Sequence, residues 1–250
     1  MNITQTFYDN LASQYDKLFL DWNETTKEQA EFLDKLFADN GFDKSARILD
    51  CACGIGTQAI GLAKAGYNIT ASDISEGALA EAKKRAEIAG VKIRFSKADF
   101  CALSDIFNEK FDVVIAMDNA LPHMMSEASL KSAIGSISDR IADGGMFVAS
   151  IRDYDELLRS KPPYSAPYIH KTQKGQRVSF QTWEWNNDCY KLIQYIIDDE
   201  DSLQVSKFEC EYRAARRDEV TKLLNSTCKE VLWKFPEETG FYQPVVIAKK

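Results

Sequence analysis

Residues 48–57 read ILDCACGIGT, and this stretch decides the fold of the 250-residue chain. Its apolar beginning is typical of the end of a buried strand, and residues 57–66 follow helical spacing up to a final glycine. Gly54 and Gly56 allow the backbone to turn sharply and to approach a ligand, because glycine has no Cβ. A strand, a glycine loop and a helix in this order predict a nucleotide-type binding site.

Strand and helix patterns alternate around this stretch. Apolar runs predict strands at 47–51, 68–73, 92–96, 111–117 and 146–151, followed late in the chain by strands around 231–233 and at 244–249. Helical spacing predicts helices at 57–65, at 78–89 with Ser75 as N-cap, at 127–141 and at 217–227. This alternation predicts an α/β fold with a mainly parallel seven-stranded sheet and helices on both faces. Ligands of such sheets bind at the carboxyl ends of the strands.

The first 40 residues carry aromatic and apolar side chains at helical spacing. They predict a helix at about 4–20 and a second helix that ends at Asn40-Gly41, with Trp22 in the linker between them. Such stripes usually pack into a core, and the functional alternative is a lid whose aromatic faces cover a pocket.

A different pattern follows strand five. The pair Gly144-Gly145 predicts a turn before that strand, and the segment 161–164 predicts a loop after it. Runs at 177–185, 190–198 and 203–212 alternate polar and apolar residues, which predicts an antiparallel insertion. We therefore expect residues 1–164 and 213–250 to form the main domain, with residues 1–40 as its helical lid. Residues 165–212 would form an inserted subdomain for substrate or oligomer contacts.

The composition of the chain disfavours nucleic-acid, membrane and metal partners. The net charge is −7 and the chain has no lysine or arginine block, so a nucleic-acid partner is disfavoured. No apolar run approaches the roughly 20 residues of a membrane helix, and no secretory signal is present, so we expect a cytoplasmic monomer or homodimer without membrane contact. The six cysteines should be reduced, and the spacing of Cys51 and Cys53 does not fit a zinc site, so we expect no metal.

Three acidic residues end three consecutive predicted strands: Asp50, Asp73 and Asp99. A carboxylate at the position of Asp73 can bind both hydroxyl groups of a ribose. Asp99 and Phe100 lie where an adenine is expected. Each aspartate alone is compatible with a strand-end cap, but three in register with a glycine loop favour a ligand site.

Two cofactor classes compete for this site. Residues 54–59 fit the G-x-G-x-x-G/A pattern of a nicotinamide dinucleotide, which leaves a dehydrogenase as an alternative. However, Asp50 precedes the loop, where its charge would repel a pyrophosphate and attract a cation. This favours S-adenosylmethionine, with S-adenosylhomocysteine as product. A protein that binds this cofactor without catalysis also remains open.

Segments 50–57, 118–123 and 151–155 resemble class I S-adenosylmethionine-dependent methyltransferases, and within them the glycine and glycine/sarcosine N-methyltransferase group. The resemblance implies a Rossmann-like class I fold with a small antiparallel insertion after strand five. It also implies methyl transfer to a small-molecule acceptor, most simply the amine nitrogen of a glycine- or sarcosine-like amino acid or of a small heterocycle. Transfer to oxygen or carbon remains an alternative.

The resemblance also implies roles for particular residues. The cofactor would contact Trp22, Asp50, Ala52, Gly54, Gly56, Asp73, Ile74, Asp99, Phe100, Met117, Asn119 and His123. The substrate would contact Tyr8, Tyr15, Asn119 and Arg152, and the catalytic residues would be Asn119, His123 and Arg152. His123 would accept a proton or hydrogen-bond the cofactor, while the Arg152 guanidinium would hold the acceptor's carboxylate bidentately.

Three features qualify these roles. Arg152 has a structural alternative, an ion pair with Asp153, Asp155 or Glu156. Asp118 stands where the glycine enzymes have a small glycine. Lys27 is the nearest candidate for the early cofactor-binding arginine of that group.

Overall fold

The computed structural model describes residues 3–250 of the chain. Its strands are β1 Arg47–Asp50, β2 Asn68–Asp73, β3 Arg94–Lys97, β4 Phe111–Ala116, β5 Ile141–Ser150, β6 Tyr168–Lys171, β7 Gln176–Asn186, β8 Cys189–Asp198, β9 Gln204–Arg213, β10 Glu230–Lys234 and β11 Val245–Lys249. Its α-helices are α1 Ile3–Leu11, α2 Trp22–Asp39, α3 Thr57–Lys64, α4 Glu76–Ile88, α5 Glu127–Asp139, α6 Tyr154–Ser160, α7 Arg217–Asn225 and α8 Pro236–Thr239.

Seven strands form one sheet in the order β10-β11-β5-β4-β1-β2-β3. Strands β1 to β5 run parallel, and β11 is antiparallel to both of its neighbours, β5 and β10. The strand order reverses direction between β1 and β4, so their carboxyl ends open a crevice at this point. The predicted class I methyltransferase fold, with a mainly parallel seven-stranded sheet, is confirmed.

The sheet is buried on both faces, which explains why its strands are apolar without alternation. Successive residues of β1 point to opposite faces, so Ile48 and Leu49 belong to different core clusters, and both are fully buried. Helices cover each face and thereby fix the carboxyl ends of β1, β2 and β4 at one edge.

The N-terminal helices differ from the prediction. The expected helix at 4–20 is α1 followed by a 3-10 helix over Ala12–Leu18. Trp22 begins α2 instead of lying in a linker, because the Asp21 carboxylate accepts hydrogen bonds from the N–H groups of Asn23 and Glu24. This N-cap starts the helix earlier than its apolar periodicity suggests.

The region after β5 also adds elements. Strands β6, β7, β8 and β9 form a separate four-stranded antiparallel sheet, which confirms the three predicted runs and adds the short β6. Helix α6, which was not predicted, begins after Asp153, whose carboxylate accepts from the Glu156 N–H. The predicted turn at Gly144-Gly145 lies inside β5, where the pairing with β4 shifts register. The division into a main domain and an inserted subdomain remains a prediction.

Within residues 3–250, no helix has the length and apolar character needed to cross a membrane. The same part of the chain contains no cluster of three His, Cys, Asp or Glu residues able to hold a metal ion. All six cysteines are free thiols.

Candidate active site

A cavity of about 490 Å³ lies at the carboxyl ends of β1, β2 and β4. The predicted site residues that line it are Tyr8, Tyr15, Ala52, Gly54, Asp73, Ile74, Asp99, Phe100, Met117 and His123. Five other predicted residues lie outside its wall: Trp22, Asp50, Gly56, Asn119 and Arg152. We call this space the cofactor cavity.

The two glycines of the loop have different roles. Both have positive φ, +53° at Gly54 and +92° at Gly56, a region that glycine adopts at low energy. A Cβ at Gly54 would meet no atom within 4 Å, so the backbone there is open. A Cβ at Gly56 would lie 2.8 Å from Ile60 Cδ1, so the end of the Ile60 side chain would have to move to admit it.

Asp50 ends β1 directly before Cys51 and Ala52, which line the cofactor cavity, and it is only 1% exposed. Its Oδ1 accepts a long hydrogen bond of 3.4 Å from the Ala52 N–H, and its Oδ2 has no partner in the described part of the chain. Burial raises the pKa of this carboxyl, and the charges of Asp73 and Asp118 raise it further. A buried acceptor without a donor fits the ammonium group of a methionine moiety.

Asp73 is held in place at the cavity wall. Its Oδ2 accepts from the Gly54 N–H at 2.8 Å, and its Oδ1 accepts from the Ser75 N–H at 2.9 Å. Burial raises its pKa, although these two hydrogen bonds lower it. Each oxygen retains a second lone pair, so the carboxylate is able to accept from ribose hydroxyls as well.

The charge of the cofactor cavity favours a cation. Its described lining contains Asp73, Asp99, Asp118 and Glu211 and no lysine or arginine. A pyrophosphate would find acidic groups and no basic side chain here, whereas a sulfonium is attracted. The residues therefore fit S-adenosylmethionine better than a nicotinamide dinucleotide.

The chain after β4 adopts two consecutive left-handed conformations, with φ +57° at Asp118 and +71° at Asn119. Such residues are strained unless their surroundings hold them. The Asp118 carboxylate accepts from Gln58 Nε2 and from the Tyr242 hydroxyl, each at 2.7 Å. Sequence reasoning did not assign Asp118 a site role. The available signal was that Asp118 stands where the glycine N-methyltransferases have a glycine.

Asn119 fixes the loop after β5. Its Oδ1 accepts from the Arg152 N–H at 3.0 Å, and its Nδ2 donates to the Tyr154 hydroxyl at 2.9 Å. Both bonds are buried or half-buried, so Asn119 positions Arg152. It lines a second cavity and not the cofactor cavity.

His123 is buried between aromatic side chains. Its Nε2 lies 2.9 Å from the Tyr8 hydroxyl, and its ring lies 4.2 Å from that of Tyr212. Burial lowers its pKa to about 3, and the positive charge of Arg152 contributes. The imidazole is therefore neutral near pH 7 and acts there as a hydrogen-bond partner.

Trp22 lies behind the glycine loop. Its Nε1 donates to Thr57 Oγ1 at 3.1 Å, and its ring is covered by the Arg85 guanidinium at 4.6 Å. It clusters with Ile55 and Ile60. Trp22 is not part of the wall of the cofactor cavity, and its contact with the cofactor remains a prediction.

A second cavity of about 860 Å³ adjoins the first. Tyr8, Tyr15 and Asp118 line both. The other walls are formed by the small antiparallel sheet, the loop after β5, the N-terminal segment and residues from the segment 235–244. We call this space the acceptor cavity.

Arg152 is half-buried and lines the acceptor cavity. Its two terminal nitrogens donate to the Tyr190 hydroxyl at 2.9 Å and to Gln181 Oε1 at 3.0 Å, and Trp183 lies 5.1 Å below it. Burial lowers its pKa, but Tyr190 and neighbouring tyrosines raise it by more, so it is charged at all working pH values.

The alternative ion pair of Arg152 is wrong. Asp153 and Asp155 bind Arg217, and Glu156 binds Arg159. No carboxylate within residues 3–250 lies within 4.0 Å of the Arg152 guanidinium, so its charge has no counterion there. Sequence reasoning predicted the position of Arg152 but missed its partners Gln181 and Tyr190, which are remote in the chain.

Comparison with known proteins gives the family relationship. A family model described as a methyltransferase domain matches residues 48–145. The chain is similar to glycine/sarcosine N-methyltransferases of Halorhodospira halochloris and Aphanothece halophytica. The first is 24% identical over 62% of this chain and 56% of its own length, and the second is 23% identical over 88% and 78%. The match thus spans just over half of the first relative.

Two solved structures share the fold. An S-adenosylmethionine-dependent methyltransferase from Clostridium acetobutylicum has a TM-score of 0.75 at 20% identity, covering 97% of both chains. An amino pentose methyltransferase from Micromonospora echinaspora, solved with S-adenosylmethionine bound, has a TM-score of 0.72 at 15% identity, covering 90% of this chain and 91% of its own. The predicted resemblance and the predicted cofactor are confirmed.

Proposed function

We infer that this chain, an S-adenosylmethionine-dependent methyltransferase, methylates the amine nitrogen of a small molecule that also carries a carboxylate. One observation carries the proposal: the half-buried Arg152 lines the acceptor cavity, and its guanidinium has no ion-pair partner among the described residues. Taking a charge partly out of water is unfavourable unless it is paired, so an anionic ligand group is a fitting counterion. The guanidinium fork suits a carboxylate.

The two cavities set the direction of the acceptor. They meet at Tyr8, Tyr15 and Asp118, so the methyl donor and the acceptor approach each other there. With its carboxylate on Arg152, an amino acid directs its amine toward this junction. Such positioning replaces a random encounter and supplies much of the rate enhancement of a displacement reaction.

An amine acceptor also agrees with the charges and hydrogen bonds at the junction. The Asp118 carboxylate attracts an ammonium group. Gln243 lines the same cavity, and its buried Oε1 has no donor among the residues described, so an N–H group fits it. The named glycine/sarcosine relatives act on amines of this kind, which supports the proposal.

The chemistry requires little more than position and desolvation. Bound S-adenosylmethionine supplies a methyl group on a positive sulfur, and the neutral amine's lone pair forms the new N–C bond as the S–C bond breaks. The amine must lose one proton for the product to become neutral. His123, with a pKa of about 3, does not retain that proton near pH 7, so it passes to solvent or to Asp118.

A matched acceptor panel tests the proposal. Transfer from labelled S-adenosylmethionine would be measured for glycine against methylamine and for phenylalanine against phenethylamine, pairs that differ in the carboxylate. We expect the carboxylate members to react preferentially, and Arg152→Lys to raise their KM about tenfold or more while the Kd of the cofactor stays within twofold.

Arg159→Lys is the control, because Arg159 is exposed and pairs with Glu156 on the surface. Equal use of amines with and without a carboxylate, or unchanged kinetics of Arg152→Lys, would refute the assignment.

A further inference from the structure

The acceptor cavity is much larger than glycine or sarcosine requires. Its volume is about 860 Å³, and cavities of roughly 300–1,000 Å³ typically enclose drug-sized ligands. An acceptor the size of glycine, held at Arg152, would leave most of this space to water. The size therefore points to a longer acceptor.

The cavity extends along one face of the small sheet. Arg152 donates a hydrogen bond to Gln181 on β7. His170 on β6 lies directly opposite Arg177, which is also on β7. Gln181 and Arg177 are four residues apart, which is about 13 Å along a strand. Gln181 and His170 both line the cavity, so its two ends are separated by about this distance.

The wall between these ends is polar although it is buried. Ser179 and Gln194 line it and are buried, and Gln194 accepts from Gln181 Nε2 at 2.8 Å. A buried wall that only packed against apolar side chains would not need these groups. The polar face fits a ligand with polar atoms along its length.

His170 ends this polar wall with an unpartnered atom. Its side chain is only 5% exposed, and its Nε2 has no hydrogen-bond partner among the residues described. Burial lowers its pKa, so the imidazole is neutral near pH 7. Burying a nitrogen without a partner costs free energy because it loses its hydrogen bond to water. A ligand group at this position would replace that hydrogen bond.

We propose that the methyl acceptor is an α-amino acid with an extended side chain whose terminal polar group hydrogen-bonds His170 Nε2, so that His170 determines specificity. This rests on the proposed function, because the amine and carboxylate of the acceptor occupy the Asp118 and Arg152 end. Trp183 lies 5.1 Å from the Arg152 guanidinium, so it contacts the carboxylate end of the acceptor, and Ser179 lines the middle of the cavity.

The test compares acceptors that differ in length and in their terminal group. Labelled methyl transfer would be measured for glycine and sarcosine, and for tyrosine against phenylalanine and glutamine against norleucine. We expect at least one polar-ended amino acid to exceed glycine tenfold or more in kcat/KM. His170→Phe should lower that value about tenfold and leave the apolar partner unchanged, and His170→Gln, which keeps a hydrogen-bonding group, should retain most of it.

Ile169→Ala is the matched control, because Ile169 neighbours His170 on β6, is exposed and lies outside the cavity wall. Glycine or sarcosine reacting as well as every longer acceptor would overturn the inference and leave the proposed function intact. An equal loss of kcat/KM for polar and apolar acceptors in His170→Phe would also overturn the inference and leave the proposed function intact. If amines without a carboxylate react equally well, or if no amino acid is methylated while the cofactor binds, the proposed function fails and the inference with it.

Discussion

Replacement of Asp50 by asparagine should weaken cofactor binding and stabilise the ligand-free protein at the same time. In the structure, Asp50 is buried with one long hydrogen bond and one unpartnered oxygen. If its carboxylate accepts from the cofactor's ammonium group, the lost charge-assisted bond corresponds to about 1.5–3 kcal/mol. The Kd for S-adenosylmethionine should then rise about 10- to 150-fold.

The stability effect has the opposite sign. The folded pKa of Asp50 is raised above its ordinary value of 3.8, so ionisation opposes folding increasingly as the pH rises above that value. Burying an unpaired charge is far less favourable than burying a neutral amide. We expect ligand-free Asp50→Asn to gain about 1–3 kcal/mol at pH 7, or about 2–4 °C in Tm for each kcal/mol in a chain of this size.

Two measurements suffice for this prediction. Isothermal titration calorimetry gives the Kd for S-adenosylmethionine, and thermal unfolding without ligand gives the Tm. Asp112→Asn is the matched control, because Asp112 pairs with Arg47 at the opposite edge of the sheet, so the cofactor should bind unchanged. An unchanged Kd for Asp50→Asn, or a lower Tm, would refute the role given to its free oxygen.

Three other outcomes follow from the geometry of the cofactor cavity. Asp73→Ala should weaken cofactor binding by about 1–3 kcal/mol because ribose hydroxyls lose a buried partner; calorimetry showing wild-type affinity would contradict this. Gly54→Ala and Gly56→Ala should both lower the Tm because each glycine has a positive φ that alanine adopts at a cost, and Gly56→Ala should lower it more because its Cβ would also meet Ile60; an equal or larger loss for Gly54→Ala would contradict this ranking. His123 has a folded pKa of about 3, below its ordinary 6.5, so its stabilising contribution is present above pH 6.5 and is lost as the pH falls toward 3. Denaturant unfolding should therefore show that the free energy of unfolding falls less for His123→Gln than for the wild type over that range. Parallel plots of this free energy against pH would argue against a neutral buried imidazole.

Most of the predicted residues around the cofactor cavity could be found because they lie at or just after the end of a strand. The glycine loop follows β1 directly, and Asp73 follows from the same strand-end rule as Asp50. Parallel strands bring their carboxyl ends to one edge, so sequence position alone placed these residues together. The lining of the cofactor cavity agrees with that expectation for ten predicted residues, and their roles remain predictions.

Local capping interactions account for the errors in element boundaries. Asp21 starts α2 at Trp22 and Asp153 starts α6, although neither helix start is visible in the apolar periodicity. A single hydrogen-bonding side chain decides such a start, and its effect depends on the backbone conformation that it adopts.

The sequence by itself determined the sheet, the glycine loop and the acidic surroundings of a sulfonium cofactor, because apolar runs and strand-end residues are properties of short segments. Only the tertiary structure decided the acceptor cavity. It brings Arg152 against Gln181. It also places His170 Nε2 and Gln243 Oε1, which lack a hydrogen-bond partner among the described residues, in one space, although β6 and the chain before β11 are more than 60 residues apart. Pairing and burial depend on which distant side chains meet, and no local pattern contains that information.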